Sequence, residues 1–121
     1  MELQKIECDF SVCKISDIES INFARDFIFL SRTPEEISLV CETAHIPHNV
    51  LVYEPGWRAL KVSGMLDFGM VGVIAKISNL LATAGISIFV VSTYNTDYVL
   101  VKAENLDLSV KVLADSRYVI K

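Results

Sequence analysis

The sequence is poor in the residues that build disulfide scaffolds and metal centres. It holds three cysteines and two histidines in 121 residues. Cys8, Cys13 and Cys41 are odd in number and lie in stretches that read as buried strands. They therefore exclude a complete disulfide framework and point to free thiols of a reducing compartment. His45 and His48 have H-x-x-H spacing but flank Pro47 with no third ligand nearby, so they read as loop residues and no metal is expected.

Long apolar runs are also missing. Asp67, Lys76, Asp97 and Lys102 interrupt the richest stretch before it reaches the roughly 18 residues needed to cross a bilayer. No apolar segment follows the charges of Met1-Glu2-Leu3-Gln4-Lys5, so a signal peptide is not expected either. The expected location is cytoplasmic, with no membrane contact. Positive charge is short as well: 11 Lys and Arg stand against 15 Asp and Glu, a net charge of −4. That balance argues against a nucleic-acid binder driven by counterion release. No Ser or Cys has a recognisable partner constellation, no His follows residue 56, and no carboxylate pair is poised at a strand end. An enzyme is not expected.

What the chain does have is apolar mass. Hydrophobic residues make up 52% and charged residues 21%, enough to bury roughly two-thirds of the unfolded surface and to exclude disorder. The length fits one ordinary domain or two very small units sharing a core. Charge is divided unevenly. Residues 1–56 carry ten acids and four bases, whereas residues 57–121 carry five acids and seven bases, which is either the mark of two units or chance in a small sample.

The second half is read first. Glu54-Pro55-Gly56 is expected to be a turn. In Arg58–Gly64, Leu60 and Val62 alternate with Ala59, Lys61 and Ser63, the period of a half-covered strand. After a loop, Met70, Val73, Ile74, Ile77, Leu80, Leu81 and Ala84 recur at helical spacing, and Gly85 is placed to end the helix. Ile86–Ser92 is short, apolar and β-branched, hence a strand. A turn at Thr93–Asp97 and a returning strand, Tyr98–Lys102, complete a hairpin. Asn105 is placed to cap a second helix bearing Leu106, Val110, Leu113 and Ala114 on one face, and Tyr118–Ile120 supplies a last strand. The order β-α-β-β-α-β is the ferredoxin-like split βαβ arrangement.

The first half reads as a looser copy of that plan. Leu3–Ile15 is expected to be one long strand, Asp17–Asn22 a short helical turn, Phe27–Leu30 a second strand and Ile37–Cys41 a third after the turn Thr33–Glu36. Glu42–Asn49 has no helical period, and Val50–Tyr53 closes the sheet. An internal duplication with one reduced member follows.

Chemistry concentrates at one end of the better-formed half. Gly69 and Gly72 lie between a strand end and a helix start, where backbone N–H groups and the helix dipole hold an anion. The plainer reading is a tight turn. Lacking G-x-G-x-x-G and G-K-[ST], the loop suits a carboxylate better than a phosphate. Thr93 and Asp97 flank the hairpin turn, where their oxygens serve either the turn or a ligand ammonium. Asp67 is placed to cap the helix. Phe68, Phe89, Tyr94 and Tyr98 read as packing more readily than as a stacking platform.

Several of these runs are familiar as a set: Gly56-Trp57-Arg58, Gly64, Asp67-Phe68-Gly69, Gly72, Leu80-Leu81-Ala82, Ala84-Gly85-Ile86-Ser87-Ile88-Phe89 and Ser92–Val101. Together they resemble the ACT-domain family, in the branch related to the CASTOR arginine sensors. Upstream, Ser31–Cys41 resembles a first-half segment of the same branch, so the resemblance spans about residues 27–103. It implies an α+β fold, with a ferredoxin-like βαββαβ ACT domain at 57–121 preceded by a degenerate ACT-like βαββ half at 1–56. Both would form antiparallel sheets with helices on one face. It implies a non-enzymatic regulatory module that binds an amino acid at an interface between two units and needs no cofactor. Carried over by position, the ligand would meet Met65, Leu66, Asp67, Phe68, Gly69, Val71 and Gly72 from one loop and Thr93, Tyr94 and Asp97 from the other. Helix-start N–H groups would receive the carboxylate and Asp97 the ammonium.

The sensors of that branch are longer and carry more units. Here a second copy of the chain, a homodimer, would complete the pocket, and output would pass through a regulated protein partner. The competing expectation is a ligand-free oligomerisation or protein-interaction module. An RNA-binding sheet is disfavoured, because Tyr98–Lys102 lacks the paired aromatics and basic residues of such a platform.

Overall fold

A computed structural model describes residues 1–63 and 71–121. The chain forms two compact units. The larger comprises Met1–Glu7 and Arg58–Lys121, the smaller Cys8–Trp57.

The larger unit contains β1 (Glu2–Lys5), the end of β5 (Val50–Val62), α1 (Val73–Thr83), β6 (Ile88–Ser92), β7 (Asp97–Lys102), α2 (Leu106–Asp115) and β8 (Val119–Ile120). From β5 onward the order is β-α-β-β-α-β, as the hydrophobic periods require. The hairpin pairs β6 with β7 antiparallel, Ile88 opposite Val101 and Ser92 opposite Asp97, and β7 also pairs with β5. β1 adds a fifth strand between β5 and β8. It runs antiparallel to β5, with Leu3 opposite Val62, and parallel to β8, with Leu3 opposite Ile120.

One core joins the sheet to both helices. Leu3, Leu60, Val62, Val99 and Val101 from the strands meet Ile77 and Leu81 of α1 and Leu106 and Leu113 of α2. Each fully buried aliphatic side chain contributes about 1.5–3 kcal/mol, which is why the helical stripes face the sheet.

Both helices end in the same hydrogen-bond pattern. After α1, the N–H of Ile86 donates to the Leu81 carbonyl and that of Gly85 to Ala82, with Gly85 left-handed at φ +77°. After α2, Tyr118 donates to Leu113 and Arg117 to Ala114, and here the left-handed residue is Arg117, at φ +74°. This closure consumes carbonyls that the helix end leaves unpaired. Asn105 does not cap α2 with its side chain. A 3₁₀ turn at Ala103–Asn105 leads into the helix, and the Asn105 carbonyl accepts a 2.7 Å bond from the buried Ser109 hydroxyl.

In the smaller unit, β2 (Phe10–Ile15), β3 (Phe29–Arg32), β4 (Ile37–Glu42) and the first part of β5 lie in the order β3-β4-β2-β5, all antiparallel. Cys13, Ile15, Ile21, Leu39 and Cys41 form its core. Four expectations are corrected here. Leu3–Ile15 is not one strand: the buried positions Leu3, Ile6 and Phe10 are three and four residues apart, a spacing that a period of two cannot hold. The chain breaks accordingly, and β1 and β2 belong to different units. Cys8 falls in that break, half-buried and outside any strand. Asp17–Asn22 makes bends with an Ile21-to-Ile18 backbone bond and no helix. β3 starts at Phe29, because Phe27 is left-handed at φ 60° and packs its ring edge-on against Phe10.

The fourth correction concerns Glu54-Pro55-Gly56, which is not a turn. β5 runs straight through it, and between the pairs Phe10–Trp57 and Val12–Glu54 the two residues Pro55 and Gly56 stand opposite Ser11 alone. This is a β-bulge, a place where a proline without N–H is tolerated and a glycine at φ +84° is favoured.

Candidate functional site

Of the two segments of the larger unit that the sequence singles out, the turn at 93–97 is fastened to β5 by a side-chain hydrogen bond. The Thr96 hydroxyl donates to the Val62 carbonyl at 2.7 Å, so the β6–β7 turn is held against the end of the strand that leads towards α1. Thr96 is 4% exposed. Thr93 closes the turn: its N–H and its hydroxyl both donate to the Thr96 carbonyl, at 2.8 and 3.1 Å, and the hydroxyl accepts from the Thr96 N–H at 3.3 Å. Tyr94 at the tip is exposed. Asp97 is half-buried opposite Ser92, whose hydroxyl donates to Asp97 Oδ1 at 2.5 Å. That bond occupies one of two carboxylate oxygens and orients the other.

On the helix side, Met65, Leu66, Asp67, Phe68 and Gly69 lie outside the described residues, as does the capping expectation for Asp67. Val71 is almost wholly exposed. Gly72 is the N-cap residue at φ +81°, a conformation open to glycine because it has no Cβ. The Lys76 N–H closes the first helical bond onto the Gly72 carbonyl at 3.0 Å. Having no side chain, Gly72 caps none of the first N–H groups of α1, and the positive end of the helix dipole is presented there.

A cavity of about 390 Å³ opens at this helix start, with Val71, Gly72, Val73, Lys76, Arg117 and Tyr118 in its lining. Two cations thus stand at a helix N-terminus, where the dipole disfavours them. Lys76 Nζ lies 5.7 Å from the centre of the Tyr118 ring, over its electron-rich face. Burial pushes the Tyr118 phenol above its ordinary pKa. Lys76, Arg117 and Tyr118 were not singled out from the sequence. A signal for Lys76 existed, namely a lysine in the first turn of a helix against the dipole. Arg117 carried none, because its role depends on where α2 ends.

In the smaller unit, Cys13 and Cys41 share a hydrogen bond that lowers the Cys13 pKa against the opposing effect of burial; the same bond, with burial, raises Cys41. Among the described residues no group of three His, Cys, Asp or Glu is placed to hold a metal, and no helix is long and apolar enough to cross a membrane.

The ACT domain profile matches residues 52–115, more than half of the chain. Over 58 residues the chain is 36% identical to the human cytosolic arginine sensor for mTORC1 subunit 1, a match covering 47% of this chain and 18% of that protein. Among solved structures, a protein from Agrobacterium tumefaciens is 31% identical with a TM-score of 0.85, over 99% of this chain and 91% of the other. The aspartokinase alpha and beta subunit structure, at 16% identity and a TM-score of 0.68 over 95% and 96% of the two chains, shares the fold.

Proposed function

The chain belongs to the ACT-domain family of small-molecule-binding regulatory modules, and from that premise we propose that it binds a free amino acid at the start of α1. The α-carboxylate is received by the first N–H groups of that helix, with Lys76 and Arg117 beside them, and the α-ammonium by Asp97. Met65, Leu66, Asp67, Phe68, Gly69, Val71, Gly72, Thr93 and Tyr94 surround the ligand. A second copy of the chain completes the pocket, and occupancy is transmitted through assembly or through a regulated protein partner in the cytoplasm, without catalysis.

The observation that carries this reading is the cavity at Gly72, where a helix N-terminus without a side-chain cap and two cations face one space. The arginine-sensor relative supports amino-acid sensing as the class. Thermal-shift screening of the twenty amino acids at millimolar concentration tests it. A ligand present at about 100 times its Kd adds roughly 2.7 kcal/mol of stability. No shift for any amino acid overturns the proposal.

A second reading, a ligand-free interaction module, is favoured by one observation. Leu51, Val52 and Tyr53 are consecutive and exposed by 61, 62 and 49%, an apolar strand segment suited to pairing with another chain. Sedimentation at several concentrations separates the two: a tight dimer indifferent to every metabolite supports the second.

A further inference from the structure

The cavity at the start of α1 gathers three features that are each unfavourable by themselves. Lys76 is a cation in the first turns of a helix, where the dipole disfavours it. Arg117 holds a left-handed backbone at φ +74°, although Gly85, at the matching place after α1, takes the same conformation without a Cβ. Tyr118 is 8% exposed, yet its hydroxyl has no hydrogen-bond partner among the described residues. Buried phenols usually find one. The Tyr118 hydroxyl is not sealed in the interior as Arg58 Nε is, so it opens on the cavity that Tyr118 lines.

An anion in the cavity offsets all three. The charge to be met exceeds what one carboxylate supplies: the helix N-terminus amounts to about half a positive charge, and Lys76 and Arg117 add a full charge each. Among the described residues neither has a carboxylate within ion-pair distance, and the lining holds no Asp or Glu. The cations stand on different elements, Lys76 within α1 and Arg117 just beyond α2, so the charge is spread rather than gathered at one point. At about 390 Å³ the cavity has the size of a small-molecule site, and a lone phosphate would leave most of it unfilled. Two carboxylates on a short carbon chain match both the charge and its spread.

We infer, resting on the ligand site proposed above, that the ligand is a short dicarboxylate, with one carboxylate on the start of α1 beside Lys76 and the other on Arg117 and the Tyr118 hydroxyl. An acidic amino acid and its amine-free counterpart share this chemistry; an amino acid with a neutral or basic side chain lacks it. Isothermal titration calorimetry of the full chain with L-glutamate, glutarate, L-glutamine, L-arginine and inorganic phosphate tests it. The better of the two dicarboxylates is expected to bind at least about tenfold more tightly than glutamine, which keeps the shape of glutamate without the second charge. Arginine and phosphate are expected to bind more weakly than that dicarboxylate. Arg117→Gln closes most of the gap by weakening the dicarboxylate. If this variant does not fold, the comparison on the native chain decides. Glutamine binding as tightly as glutamate, with no binding of glutarate, overturns the inference and leaves the amino-acid reading standing. Binding of glutarate with no amino acid bound overturns that reading and leaves the inference standing. Phosphate binding as tightly as the better dicarboxylate, undiminished dicarboxylate binding in folded Arg117→Gln, or no binding of either dicarboxylate overturns the inference.

Discussion

The side-chain hydroxyl of Thr96 and the main-chain carbonyl of Val62 are 34 residues apart in sequence and 2.7 Å apart in the fold. Both are buried. Thr96→Val keeps the shape, removes the donor and leaves a buried carbonyl lone pair unmet, so it is expected to destabilise by about 1–3 kcal/mol. Thr96→Ser keeps the hydroxyl and loses much less. Urea midpoints of the two variants check the difference.

Asp97 separates binding from folding. Its carboxylate bonds Ser92 at the mouth of a hairpin, where exposure keeps the structural contribution to about 0.5–1.5 kcal/mol. Asp97→Asn is therefore expected to fold with near-native stability and to lose the thermal shift produced by whichever amino acid stabilises the native chain. Retention of the full shift would exclude Asp97 as the ammonium acceptor.

The two helix ends make a matched pair of tests. A Cβ built on Gly85 meets nothing within 4 Å, so Gly85→Ala is opposed by backbone conformation alone and is expected to cost about 1 kcal/mol. Arg117 already bears that strain, and Arg117→Gly is expected to stabilise by a similar amount, about 1 kcal/mol. If Arg117 serves an anion, the same variant binds its ligand more weakly. Opposite signs in a denaturation curve and a ligand titration on one protein would mark a residue held in strain for function.

Tyr118 predicts an alkaline limit. Burial favours the neutral phenol, so the folded-state pKa lies above the unfolded value. The folded state then keeps its proton longer. This contribution to stability is complete below about pH 10 and is lost as pH rises through the raised pKa. Tyr118→Phe is expected to flatten the fall in urea midpoint between about pH 9 and about pH 11, and tyrosinate absorbance of the native chain should lag the other tyrosines.

The strands and helices after Arg58 were legible because each buries one face, and burial imprints a period on the sequence: Leu60 and Val62 in β5, Ile77 and Leu81 in α1. The smaller unit was less legible. Phe27 reads as a strand residue by type, yet its left-handed backbone and its ring contact with Phe10 push β3 two residues on. Pro55-Gly56 has the composition of a turn, and a bulge uses the same chemistry, a missing N–H and a positive φ, without reversing the chain. Of the residues lining the cavity at the start of α1, Gly72 carried a local signal in the sequence, and Asp97, which carried one too, is not in that lining. Arg117 carried none, because it enters the cavity only once α2 has placed its last turn.

β1 lies between β5 and β8. The smaller unit, Cys8–Trp57, is consequently an insertion within the larger one. In the order of synthesis Leu3 emerges before both of its neighbours, Val62 and Ile120. Non-local pairings of this kind are slow to form, and a waiting strand is an aggregation risk. The larger unit therefore cannot complete its sheet until Ile120 has been made, and its first segment, residues 1–7, is a poor place for an affinity tag and a good one for a photocaged block on assembly.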